Sequence, residues 1–174
     1  MKEIYNHFEE YLLPNSSILD IGCGSGRDAY HFKQLGHRVI GIEPSIELCR
    51  ETENYAGICV LNKRVEELTF INTFDAVWAC ASLLHIQIEL LESTFHKIAD
   101  SLKRNGILYA SWKNGKGERV EDGRYYYDIS PEQIREMINN LEEFEVLEIW
   151  GSTEKRNEET IEWTNIIVRK KETY

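Results

Sequence analysis

The feature that most restricts how this 174-residue chain can fold is its alternation of short, continuously apolar runs with amphipathic stretches. Ile18, Leu19 and Ile21 form one such run, Val39, Ile40 and Ile42 a second, and Ile58, Cys59, Val60 and Leu61 a third. Residues 74–80 and 107–112 supply two more, and each reads as a strand with no polar face. Between them, Ala29, Phe32 and Leu35 mark the inner face of one helix, which Gly36 ends. Ser45 caps a second helix running to about residue 54, and Leu91, Phe95, Ile98 and Leu102 line a third. A strand without a polar face must be covered on both sides, so the expected class is α/β, a parallel sheet with helices on both faces.

The two ends of the chain add to this frame. Ile4, Phe8, Tyr11 and Leu12 recur at helical spacing up to Pro14, which predicts an N-terminal cap helix within residues 1–14. Residues 113–128, rich in glycine, charge and tyrosine, are expected to form a long loop on the substrate side. Ser130, Pro131, Glu132 and Gln133 make a capping box ahead of a helix that buries Ile134, Met137, Ile138 and Leu141. Strands follow at residues 144–150 and 159–170, and the intervening residues 151–158 are too few for a crossover helix, so these two strands should form an antiparallel hairpin. The whole of 1–174 reads as one domain.

Composition then excludes some functions. Lys and Arg number 20 against 30 Asp and Glu, and the formal net charge of -10 opposes sequence-independent binding to phosphates, so nucleic acid is not expected as a partner. The acidic start is unlike a secretory signal, and no run is long enough to span a bilayer, so no membrane partner is expected and the location expected is cytoplasmic. Cys23, Cys49, Cys59 and Cys80 are widely spaced without a C-x-x-C pair, and they read as reduced structural thiols with no metal.

The strand–helix junction Gly22, Cys23, Gly24, Ser25, Gly26 lets backbone approach a ligand and offers N–H groups at a helix N-terminus. A dinucleotide fingerprint requires Gly or Ala at the sixth position of G-x-G-x-x-G, where this chain has Arg27. Asp20, two residues ahead of the loop, would repel a pyrophosphate but suits the ammonium and sulfonium of S-adenosylmethionine. Glu43 ends the second strand and is placed to accept hydrogen bonds from ribose hydroxyls. Singly, the glycines could be a bare turn, Asp20 a helix cap and Glu43 a cap for the next helix; their conjunction points to a cofactor.

On these residues the chain resembles the class I S-adenosylmethionine-dependent methyltransferases. ILDIGCGSG at 18–26 matches their first motif, residues 81–85 their fourth and residues 102–108 their fifth, with Asn105 and Gly106 in place of the usual Pro-Gly-Gly turn. GSGRDA at 24–29, WACASLLH at 78–85, GRYYYD at 123–128 and EWTNIIVR at 162–169 are similar to a bacterial subgroup labelled tellurite-resistance-like or generic methyltransferase. The resemblance implies a Rossmann-like seven-stranded sheet in the order 3-2-1-4-5-7-6 with strand 7 antiparallel. It implies that Asp20, Gly22, Cys23, Gly24 and Gly26 hold the methionine part and Glu43 the ribose. Pro44, Ser45, Val65 and Glu66 would flank the adenine, and Ala79 would offer its carbonyl to the cofactor's amino group.

The expected activity is S-adenosylmethionine-dependent methyl transfer to a small-molecule acceptor, by a monomer or homodimer. A methyl already activated on sulfonium requires positioning more than a base. The acceptor-side candidates are His85 as a base past the fourth strand, Arg27, whose charge opposes the helix dipole, and Lys113, Arg124 and Tyr126 from the loop after the fifth strand. The alternative is a non-catalytic cofactor-binding module or partner subunit with the same fold.

Overall fold

The structure is a computed structural model describing residues 1–172. Its elements are α1 (Lys2–Glu9), β1 (Ser17–Ile21), α2 (Arg27–Gln34), β2 (Arg38–Ile42), α3 (Ile46–Ala56), β3 (Cys59–Leu61), β4 (Phe74–Ala79), α4 (Ile88–Ser101), β5 (Leu102–Lys113), β6 (Gly117–Glu121), β7 (Arg124–Asp128), α5 (Pro131–Asn140), β8 (Phe144–Arg156) and β9 (Glu159–Lys170). Short 3-10 turns occupy Val65–Glu67 and Leu83–His85.

Seven strands make one sheet in the order β3-β2-β1-β4-β5-β9-β8. Strands β1 to β5 are parallel, and β9 runs antiparallel to both β5 and β8. Counted within this sheet alone, that is the expected 3-2-1-4-5-7-6 order. Alternate residues feed two cores. Ile18, Trp78, Tyr109 and Ile167 face Tyr5, Phe8, Ala29 and Phe32 of α1 and α2. Leu19, Val77, Leu108 and Val168 face Leu91, Phe95, Ile134 and Ile138 of α4 and α5.

Residues 113–128 depart from the expected loop, because β6 and β7 pair as a separate two-stranded antiparallel sheet. Asp122 and Gly123 form its two-residue turn with φ of 51° and 74°, the left-handed pair that matches strand twist. Across the pair, the Arg119 guanidinium lies 4.2 Å from the Tyr126 ring centroid and its Nε donates to Asp128 at 2.6 Å. The terminal hairpin is also tighter than expected, with Arg156 opposite Glu159 and Asn157 at φ 57°, so β8 continues six residues past Trp150. Leu35 was expected inside but is half exposed at the end of α2, and α1 stops at Glu9, well short of Pro14.

The capping box of α5 forms as expected: the Gln133 amide donates to Ser130 Oγ at 3.3 Å and the Ser130 amide to Gln133 Oε1 at 3.1 Å. Ser130→Ala should cost about 1 kcal/mol in a urea unfolding titration. No measurable loss would mean that proline at the first helical position suffices.

Candidate active site

At the carboxyl edge of the sheet, β1 turns into α2 through residues with left-handed backbone, Gly22 at φ 68°, Gly24 at 54° and Gly26 at 90°. The loop amides are largely satisfied within the fold, contrary to the expectation that they face a ligand. Gly22 and Cys23 donate to the Ile42 carbonyl at 2.9 and 3.3 Å, Gly24 to Glu43 Oε2 at 3.1 Å, and Gly26 to the Cys23 carbonyl at 2.9 Å. A loop that spends these donors internally is no cradle for a pyrophosphate. From α3, the Thr52 hydroxyl donates to the Gly24 carbonyl at 2.6 Å and braces the turn.

What the loop presents instead is negative charge and open space. Asp20 is buried, and its Oδ2 has no hydrogen-bond partner. Burial, reinforced by the charge of Asp28, pushes its carboxyl well above the usual carboxylate range. Ser82 Oγ, just past β4, is likewise buried without a partner. Glu43 is held by its backbone, whose carbonyl accepts from Asn62 Nδ2 at 3.0 Å, and its Oε1 accepts the Ser45 amide at 3.0 Å. Both Glu43 oxygens keep a lone pair for a further donor. A side chain at Gly24 would meet nothing within 4 Å, whereas at Gly22 it would come 2.7 Å from Ser82 Cβ. An unpartnered buried carboxylate, a second carboxylate ready for hydroxyls and a glycine facing open space fit a ligand that carries positive charge and a ribose.

The flanking positions named from sequence are partly interior. Val65 and Ala79 are buried in the core, Pro44 is exposed, and Ser45 caps α3 by accepting the Leu48 amide at 3.3 Å. Glu66 is half buried and its carbonyl accepts from Lys97.

Beside the loop, a cavity of about 560 Å³ opens between the start of α1 and the β8–β9 hairpin. Its walls include Arg27, Cys80, Tyr109, Ser111, Trp163 and Asn165. Ala81, at φ 50°, bends the chain there, and its amide donates to Ser111 Oγ at 2.9 Å. Asn165 is buried and fixed on both sides, accepting the Tyr109 hydroxyl at 2.8 Å and donating to Ser152 Oγ at 2.9 Å. Burial and the nearby Asp28 charge push the Cys80 thiol up to about 12, so a neutral thiol faces the cavity at physiological pH.

Of the acceptor-side residues read from sequence, Arg27 alone is among this cavity's walls. Of the others, Arg124 and Tyr126 belong to β7, and His85 and Lys113 pack against Tyr126. His85 Nδ1 meets the Tyr125 carbonyl at 2.9 Å and its ring stands edge-on to Tyr126 at 4.7 Å. Lys113 Nζ lies 4.9 Å from the Tyr126 centroid, and Arg124 is exposed. Burial, aided by the nearby Arg124, Lys113 and Arg119 charges, lowers the His85 pKa below its usual value.

Sequence reasoning missed Tyr5 and Tyr109 and underrated Asp28. Asp28 looked like an ordinary acidic residue in a first helical turn, yet it stands four residues before the inward-facing Phe32, on the same helix face.

Comparison with known proteins agrees with this geometry. Residues 18–106, half of the chain, match the family described as a methyltransferase domain. A tRNA U34 carboxymethyltransferase of Shewanella amazonensis is 29% identical over 152 residues, covering 79% of this chain and 43% of that protein. The same-named protein of Shewanella frigidimarina is 38% identical over 84 residues, 42% of this chain and 24% of that one. The chain thus spans less than half the length of these curated relatives. A Methanosarcina mazei S-adenosylmethionine-dependent methyltransferase superposes with TM-score 0.84 at 19% identity, covering 96% of this chain and 98% of that one. A Burkholderia thailandensis 1,6-didemethyltoxoflavin-N1-methyltransferase, solved with 1,6-didemethyltoxoflavin and S-adenosylhomocysteine, superposes with TM-score 0.79 at 19% identity, covering 98% and 76%.

The names of the Shewanella relatives overturn the expectation of a small-molecule acceptor with nucleic acid excluded. That exclusion rested on net charge, which governs attraction to a phosphate backbone and is silent on a single base drawn into a pocket. The comparisons name the broad family and not the narrower bacterial subgroup. No described helix is long and apolar enough to cross a membrane. With the sheet order, the first-motif loop and the family match in agreement, the chain belongs to the methyltransferase domain family, on the seven-stranded sheet of the class I fold.

Proposed function

We propose that this protein methylates a planar nitrogen heterocycle, a tRNA base, which enters the cavity between α1 and the β8–β9 hairpin. The observation that carries the cofactor half is Asp20, whose buried oxygen lacks a partner beside the open space at Gly24. Asp20 would meet the cationic amino-acid end of the cofactor and Glu43 its ribose, with Pro44, Ser45, Val65 and Glu66 around the adenine and the Ala79 carbonyl at the cofactor's amino group. When bound, S-adenosylmethionine supplies a methyl group activated on sulfonium.

The acceptor half is supported by the lining. Trp163 offers an aromatic face to a flat ring, and Ser152 and Thr153 offer hydroxyls to its polar edges. The relatives' names supply tRNA as the source of such a ring, and the toxoflavin precursor in the Burkholderia neighbour is itself a nitrogen heterocycle. The chain's own contribution is then to hold the ring, exclude water and align the accepting atom. At a net charge of -10, recognition has to come from the base and its stacking rather than from phosphates.

The test is incubation with S-adenosylmethionine tritiated on the methyl group and deacylated tRNA, with free nucleosides as a parallel arm. Label recovered in tRNA bases is expected. Calorimetric binding of S-adenosylhomocysteine without label in tRNA would overturn the acceptor assignment and leave the cofactor site standing.

A further inference from the structure

The most heavily used side chain near the cavity is one that binds nothing in the function proposed above. Asp28 is buried at the second position of α2, and its carboxylate accepts four hydrogen bonds from three elements. Oδ1 takes the Tyr5 hydroxyl of α1 at 2.5 Å and Arg27 Nε at 2.6 Å. Oδ2 takes the Trp78 indole N–H of β4 at 2.9 Å and Arg27 Nη2 at 3.1 Å. Four acceptor sites are the full capacity of a carboxylate, so Asp28 has none left for a ligand.

Its neighbour Arg27 is in the opposite condition. Two of its five N–H groups are committed to Asp28, and three remain on a guanidinium that lines the cavity with its side chain 61% exposed. Consecutive helical residues do not normally face one another, and an arginine in the first helical turn opposes the helix dipole. Both costs are offset when the aspartate turns the guanidinium back on itself as a bidentate pair. A free arginine would have to give up rotamer entropy to bind; here much of that freedom is already lost.

We propose that Asp28 is the positioning residue of this site. It holds Arg27 against the cavity as a receptor for the carboxylate of the cofactor's amino-acid end, and Tyr5 and Trp78 hold Asp28 in turn. The same carboxylate seats α1, whose first residues wall the same cavity, so one buried group sets both the cation and the cover. This inference rests on the cofactor site proposed above.

A double-mutant cycle on S-adenosylhomocysteine affinity, measured by calorimetry, tests it. Arg27→Ala and Asp28→Asn should each weaken binding roughly tenfold, about 1.4 kcal/mol. In the Asp28→Asn background, Arg27→Ala should cost less than about twofold further, because an unheld guanidinium no longer contributes. KM for S-adenosylmethionine should rise while kcat stays within about twofold. Additive losses in the cycle would overturn the proposal and reduce Asp28 to a structural acceptor. Should Asp28→Asn fail to fold, Tyr5→Phe replaces it, with the same non-additivity expected on a smaller scale. Absence of binding by the native protein would instead defeat the cofactor reading.

Discussion

Alanine at Gly24 is expected to abolish most cofactor binding, lowering affinity for S-adenosylhomocysteine by about a hundredfold or more, roughly 2.7 kcal/mol. The fold itself should lose only about 1–2 kcal/mol, the cost of a left-handed backbone for a residue with a Cβ. The reason is geometric: at φ 54° the added methyl meets no protein atom within 4 Å, so it projects into the space assigned to the ligand. Gly22 is the contrasting case. Its φ of 68° carries the same strain, and its Cβ would lie 2.7 Å from Ser82 Cβ. Overpacking adds about 1–3 kcal/mol, so Gly22→Ala should destabilise the protein by roughly 2–5 kcal/mol in urea unfolding. Two alanines two residues apart thus separate damage to the site from damage to the fold. Native-like binding by the Gly24 variant would mean that the open space is not the ligand's.

The sheet was readable because its central strands β1, β4 and β5 are buried on both faces, and such strands leave little freedom of class. The turns were readable in chemistry but not in consequence. Asp122-Gly123 is the dipeptide that favours a two-residue hairpin, yet the charged, tyrosine-rich residues around it masked the alternation, and the segment reads as loop. Arg119 stacked on Tyr126 supplies the cross-strand contact that single-residue propensities do not contain. For the same reason the candidates His85, Lys113 and Tyr126 were grouped with Arg27: all lie near the carboxyl ends of strands. The fold nevertheless gathers His85 and Lys113 around Tyr126 of β7 and puts Arg27 at the cavity.

The cofactor loop was legible in its residues and less so in its physics. Glycine spacing announces close backbone approach, but whether the amides face outward depends on partners distant in sequence, here the Ile42 carbonyl and the Glu43 carboxylate. The cavity's walls come from α1, α2, β5, β8 and β9, which only the assembled sheet brings together. Asn165 and Tyr109 are 56 positions apart, and their hydrogen bond is invisible to any local reading.

Asp20→Asn is the second change from which a large effect is expected, and it should move stability and binding in opposite directions. Burial raises the native pKa of Asp20 above that of the unfolded chain, which titrates near about 3.9. Between those two values the native state holds a proton that the unfolded state has released, so stability falls as pH rises through that window. Each unit of elevation costs about 1.4 kcal/mol once the native carboxyl is ionised. Asparagine keeps the shape and cannot ionise. The variant should therefore be more stable than the native protein at neutral pH, with the difference vanishing below about pH 4. Binding should go the other way. A cationic ligand beside Asp20 favours its ionised form, so S-adenosylmethionine should bind more tightly as pH rises and expel a proton at pH values below the native pKa. Calorimetry in two buffers of different ionisation enthalpy reads that proton directly. The asparagine variant should release none and bind about a hundredfold more weakly, about 2.7 kcal/mol. Equal affinity with unchanged buffer dependence would remove Asp20 from the site. Native protein already ionised at acid pH would show instead that a buried partner satisfies Oδ2 without any ligand.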